Sequence, residues 1–128
     1  MPLTTDDIVE TNQLYARYNN AIDSHDGAAF AACFTADGYL DTGMGPREGT
    51  EAIDAFVAET AAMLPGLRHL AHNVVVDGDG DSATGSAFLV AYDTSGGHKV
   101  MATGRYTDEL VRTEHGWRFS RRVFTADS

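Results

Sequence analysis

Residues 70–82 read Leu-Ala-His-Asn-Val-Val-Val-Asp-Gly-Asp-Gly-Asp-Ser, and the fold turns on them. The β-branched run Val74-Val75-Val76 favours a strand, and Asp77-Gly78-Asp79-Gly80 is a hairpin signal. From here to the C-terminus the apolar period is 2. Residues 70–76 predict one strand and residues 82–94 the next, which turns at Ser95-Gly96-Gly97. Residues 98–113 predict a long strand, and Glu114-His115-Gly116 turns it into a last one over residues 117–124. Strands joined by tight turns in this way form an antiparallel meander.

Upstream the period is 3.6. Thr4 with Asp7 forms a capping pattern and opens a helix to about residue 24, with Ile8, Leu14, Tyr15, Tyr18, Ala21 and Ile22 on one face. A short Ala-rich helix is expected over residues 27–34, broken at Ala36-Asp37-Gly38, and residues 39–42 read as a short strand. Gly43, Gly45, Pro46 and Gly49 make a loop, and a third helix over residues 50–64 stops at Pro65-Gly66. Helices placed ahead of a meander predict an α+β domain, in which the helices close a curved antiparallel sheet into a cone-shaped barrel around a pocket.

At 128 residues the chain fits one domain, residues 1–128, with one hydrophobic core. A formal net charge of −10 argues against nucleic acid and anionic membrane as partners, since a polyanion would be repelled. No apolar run is long enough to span a bilayer, and the acidic, polar residues 1–7 do not read as a signal peptide. Cys33 is the only cysteine, in the apolar run Phe30-Ala31-Ala32-Cys33-Phe34, so a buried, inert thiol in a reducing, cytoplasmic setting is expected. No spacing suits a metal, and Asp77-Gly78-Asp79-Gly80-Asp81 lacks the downstream Glu of a calcium loop. No cofactor is expected.

Several short stretches together resemble the SnoaL-like branch of the nuclear-transport-factor-2-like superfamily over essentially the whole chain. They are Tyr18-Asn19-Asn20-Ala21-Ile22-Asp23 followed by Asp26, Phe34-Thr35-Ala36-Asp37-Gly38, and Arg47-Glu48-Gly49-Thr50-Glu51-Ala52-Ile53. Gly104-Arg105-Tyr106-Thr107-Asp108-Glu109 and Gly116-Trp117-Arg118-Phe119 complete the set. The resemblance implies the cone fold, and it leaves the activity open among dehydratases, isomerases, cyclases and non-catalytic modules.

Asp23, at the end of the first helix, and His72, in an apolar strand, are the expected catalytic pair. Imidazole exchanges a proton near neutral pH, and a carboxylate on its other nitrogen fixes the tautomer. Scytalone-dehydratase-like and bile-acid-dehydratase-like enzymes, which the chain resembles, place such residues at these two positions. His69 is the rival, on the opposite face from His72 if the period of 2 is unbroken. Tyr18 is the third catalytic candidate, as a phenol donor. A competing set resembles ketosteroid-isomerase-like enzymes and draws on Tyr18, Asp41 and Asp108. Asp41, Tyr106 and Asp108 are the expected substrate contacts. Arg121 and Arg122 read as surface salt-bridge residues, and Trp117 and Phe119 as core. The leading expectation is a dehydratase-type lyase acting on a small apolar or polycyclic molecule; an isomerase or cyclase and a non-catalytic ligand-binding module are the alternatives. Phe88, Val90, Met101 and Val111 are expected on the outer sheet face, favouring a homodimer.

Overall fold

The structure is a computed structural model that describes residues 1–128. Helix α1 spans Thr5–Asp23, α2 Gly27–Ala31 and α3 Thr50–Met63; the strands are β1 Phe34–Asp41, β2 Pro46–Glu48, β3 Leu67–Asp79, β4 Ser82–Asp93, β5 Lys99–Thr113 and β6 Gly116–Ala126. They form a single sheet of order β2-β1-β6-β5-β4-β3. Every neighbouring pair is antiparallel except β1 with β6, so the sheet is mixed. The expected meander is β3 to β6. The sequence expectation placed a helix over residues 27–34, but Phe34 already begins β1, and three residues of the expected loop form the edge strand β2.

Both ends of α1 are built from its own sequence. Thr4 Oγ1 accepts the Asp7 N–H and an Asp7 carboxylate oxygen accepts the Thr4 N–H, a reciprocal capping box. The same buried Asp7 accepts from the Trp117 indole at 3.1 Å and faces Arg112 at 2.9 Å, which ties the helix start to β5 and β6. At the other end His25 takes a left-handed φ of 60°, its N–H donates to the Ile22 carbonyl, and the Asp26 N–H donates to the Ala21 carbonyl. This is a Schellman closure without glycine. It turns the chain away immediately after Asp23 and leaves that carboxylate pointing across to β3.

One face of the sheet lies under the helices. The core gathers Leu14, Tyr15, Tyr18 and Ile22 of α1, Phe30 and Phe34, Ile53, Phe56 and Val57 of α3, and Tyr106, Leu110, Trp117 and Phe119 of the sheet. Cys33 is buried, as expected, and burial pushes its thiol up to about 11. The other face carries exposed Leu70, Val75 and Phe88. No helix is long and apolar enough to cross a membrane.

Candidate active site

At the wide end of the cone lies a cavity of about 240 Å³, walled by α1, α3, the β1–β2 loop and the concave face of the sheet. Its lining is largely apolar, from Ile22, Phe56, Leu64, Leu67, Leu89 and Phe124. Five residues with polar side chains stand among the lining: Tyr18, Tyr106, His69, Thr42 and Thr60. A largely apolar hollow with a few convergent polar groups is the usual form of a small-molecule site.

Asp23 meets His69, not His72. Its Oδ1 lies 2.6 Å from His69 Nδ1, and its Oδ2 accepts the His69 backbone N–H at 2.9 Å. The carboxylate therefore grips the histidine at two points. A carboxylate can only accept, so facing one Nδ1 is the donor, and in the neutral imidazole Nε2 is then left with a lone pair.

The expectation for His72 is corrected by the backbone. Counting inward positions back from buried Val76 gives Val74 and then His72. Asn73, however, adopts φ 55°, and the β3–β4 register shifts between His72 and Val75. This bulge inserts one residue and reverses the parity of everything before it. Leu67, His69 and Ala71 therefore face the helices, while exposed His72 stands on the outer face 5.9 Å from the Phe88 ring. Asn is one of the few side chains that adopts a left-handed φ readily, so Asn73 within the strand was the available signal.

Tyr18 and Tyr106 are both fully buried against the cavity, their rings edge to face at 5.9 Å. Burial pushes both phenols above their ordinary range, so both stay protonated donors near neutrality. Both phenols line the same cavity as His69.

Asp41 and Asp108 do not line the cavity. Asp41 accepts the Gly43 N–H at 2.8 Å and shapes the β1–β2 loop, while its neighbour Thr42 points inward. Asp108 is buried behind the phenols, 3.0 Å from Arg122 Nε and 2.5 Å from the Tyr15 hydroxyl, which donates to it. Burial pushes the Asp108 carboxyl up, opposed by the Arg122 cation and by the Tyr15 hydrogen bond. The ketosteroid-isomerase-like set is thus not assembled. Arg122, expected at the surface, is entirely buried, with its guanidinium 3.5 Å from the centroid of the Tyr106 ring and 4.3 Å from that of Tyr18. Arg121 does lie at the surface, over Tyr39 and 3.8 Å from Glu109.

The SnoaL-like domain family matches residues 4–123. The chain belongs to that family. Among curated relatives of this SnoaL-like domain is the uncharacterized protein Rv2910c of Mycobacterium tuberculosis, 32% identical over 93% of this chain and 84% of that protein. Among solved structures, a variant of Rv3472, a protein of unknown function from the same species, superposes with a TM-score of 0.92 at 30% identity, over 97% of this chain and 78% of that one. A candidate aromatic ring hydroxylase from Novosphingobium aromaticivorans gives 0.88 at 28% identity, covering 98% and 92% of the two chains. A candidate scytalone dehydratase from the same organism gives 0.82 at 18% identity over 98% and 89%, a likeness of fold. The SnoaL-like domain therefore has the cone fold expected from sequence, and its relatives carry differing or no assigned activities.

Proposed function

We propose that this SnoaL-like domain is a cofactor-independent lyase that eliminates water from a small, largely apolar hydroxy-carbonyl compound. The observation that carries the reading is the Asp23–His69 pair, 2.6 Å apart at the wall of an apolar cavity. His69 Nε2 removes the proton from the carbon beside the carbonyl, and the C–H electron pair becomes an enolate. Asp23 stabilises the imidazolium formed in that step. A protonated phenol of Tyr18 or Tyr106 at the cavity wall donates to the carbonyl oxygen on which charge develops. The enolate then expels the β-hydroxyl, which takes its proton from the imidazolium and leaves as water. Atoms and charge balance without a further reactant.

The same proton abstraction could begin an isomerisation, but Asp41 and Asp108, the acids that such a reading needs, lie outside the cavity. The test is turnover of a panel of cyclic β-hydroxy ketones in heavy water. Loss of water is the expected result, with deuterium at the carbon beside the carbonyl in recovered substrate wherever the enolate is reprotonated before the hydroxyl leaves, and both are abolished in His69→Gln. Binding without exchange or turnover across the panel would make the domain a ligand-binding module and end the lyase reading.

A further inference from the structure

Three of the four methionines of the chain stand at the mouth of one cavity. Met44 comes from the β1–β2 loop, Met63 ends α3 and Met101 lies on β5. Each lines the cavity, yet each is open to solvent, by 59%, 57% and 43%. Side chains that both line a hollow and face water form its rim. The fourth, Met1, sits at the opposite end of β3 from Leu67 and His69, where its carbonyl accepts the Gly80 N–H.

Met44 is on the least supported segment of that rim. Residues 42–45 join Asp41 to Pro46, which face each other across β1 and β2. Gly43 and Gly45 flank Met44 with φ of 93° and 95°, a region that favours glycine. A Cβ built on either would meet no atom within 4 Å, so the backbone there is unpacked. One hydrogen bond shapes the turn, from the Gly43 N–H to the Asp41 carboxylate at 2.8 Å. The base of the loop, by contrast, is fixed beside α3. Arg47 of β2 pairs with Glu59 through bonds of 2.8 and 2.7 Å, and Glu59 lies one turn before Met63.

A turn of this kind has reason to close only when the cavity is filled. Over an empty hollow, an inward-turned Met44 would lack atoms to touch on its inner side, and nothing would offset the ordering of the loop. An apolar molecule in the cavity supplies that surface. Methionine is unbranched and has three rotatable bonds, so it can settle on occupants of differing outline. We infer that residues 42–45 are a lid over the loaded cavity, with Met44 covering the ligand and Met63. The inference rests on the reading of the cavity as a small-molecule site, and it adds how that site is closed to water.

The test is peroxide footprinting of the full chain, with 2-naphthol as the probe that fills the cavity. Oxygen transfer from hydrogen peroxide to a thioether gives the sulfoxide and water, at a rate set by access. In the empty protein Met44 and Met63 should oxidise within about threefold of Met1, which is exposed by 90%. At saturating 2-naphthol both should slow by at least about fivefold while Met1 keeps its rate. Met44→Ser alters an exposed position, and its fold should be unchanged. With the variant also saturated, Met63 should oxidise within about twofold of its empty rate, and stopped flow should show release of the probe about tenfold faster than from wild type. Equal rates with and without the probe overturn the lid. So does protection of Met63 that persists in Met44→Ser, since the probe itself would then cover the rim. If 2-naphthol does not bind, the reading of the cavity falls and the lid with it. A domain that shows the footprint and turns nothing over keeps the lid and loses the lyase reading alone.

Discussion

Asp23 holds His69 by both the backbone N–H and the ring nitrogen, so the side chain is oriented by one carboxylate through two contacts. Asp23→Asn keeps the shape but lets the amide donate, which favours the tautomer with its proton on Nε2 and removes the base. Turnover is expected to fall by at least about a hundredfold, with substrate binding little changed. His69→Gln should be as damaging, and His72→Ala should stay within about twofold of wild type in the same assay. A His72→Ala variant as inactive as His69→Gln would show that the outer-face position of His72 does not describe the proposed site.

That contrast marks where the sequence stops being readable. Periodicity and turns located α1, α3 and the meander, and the capping pair Thr4 and Asp7 is present as expected. Tyr18, Tyr106 and Asp23 were also within reach, because the buried face of a helix and of a strand follows from apolar spacing. His69 ranks only as the rival of His72 in the sequence because a single left-handed residue, Asn73, resets the parity of a strand whose apolar side chains read continuously through it. Strand β2, only Pro46–Glu48, has no periodicity to detect; it exists because Tyr39 pairs with Glu48 across the loop. Arg122 was misplaced for a third reason. Its partner Asp108 lies directly opposite on β5, and only the register of β5 on β6 brings the charges together under the aromatic rings.

The Asp108–Arg122 pair supports the floor beneath Tyr18 and Tyr106. Removing one charge of a buried pair leaves the other uncompensated, so Asp108→Asn or Arg122→Met should each cost about 3–5 kcal/mol in urea unfolding. The double variant Asp108→Leu with Arg122→Met should cost less than the sum of the two single charge removals. Arg122→Lys is expected to recover little, because a compact ammonium cannot reproduce a planar cation stacked 3.5 Å from the centroid of the Tyr106 ring. Full recovery by lysine would reduce the role of this residue to its charge.

Asp7 supplies a pH dependence of stability. The Thr4 N–H, followed by the Trp117 indole, holds its carboxyl down at about 2, whereas an unfolded chain would titrate it at about 3.9. A depressed carboxyl stabilises the fold above the unfolded value, and that contribution is lost as pH falls toward the folded value. The difference in urea midpoint between wild type and Asp7→Asn should therefore be constant above about pH 5 and shrink steadily between about pH 4 and pH 2. A difference independent of pH over that interval would assign the effect to shape alone.

The outer sheet face carries Leu70, Val75 and Phe88 exposed by 56%, 55% and 36%. Met101, expected there, instead lines the cavity, because the β4–β5 register shifts between Ala91 and Tyr92. We propose that a second copy of the chain covers this face. Light scattering should give a dimer for wild type and a monomer for Phe88→Asp, with unfolding of the wild type depending on protein concentration. A monomeric wild type at high protein concentration would refute it.

Gly85 offers the sharpest test of how α1 is held to the sheet. It pairs with Asp108 across β4 and β5, and a Cβ built on it would stand 2.2 Å from the Tyr15 hydroxyl and 3.2 Å from Leu110 Cδ1. The missing side chain is therefore the space through which Tyr15 reaches the Asp108 carboxylate at 2.5 Å. Gly85→Ala should displace that hydroxyl and cost about 1–3 kcal/mol. Tyr15→Phe alone should cost a similar amount, because buried Asp108 loses a donor. In the double variant the colliding oxygen is gone, and the nearest ring carbon would lie 3.3 Å from the new methyl, close enough to need only a small shift. The two costs should consequently overlap, giving a coupling of at least about 1 kcal/mol in a double-mutant cycle of urea unfolding. Strict additivity would mean that the new methyl is accommodated by movement of β4, and that the approach of Tyr15 to Asp108 does not depend on the glycine.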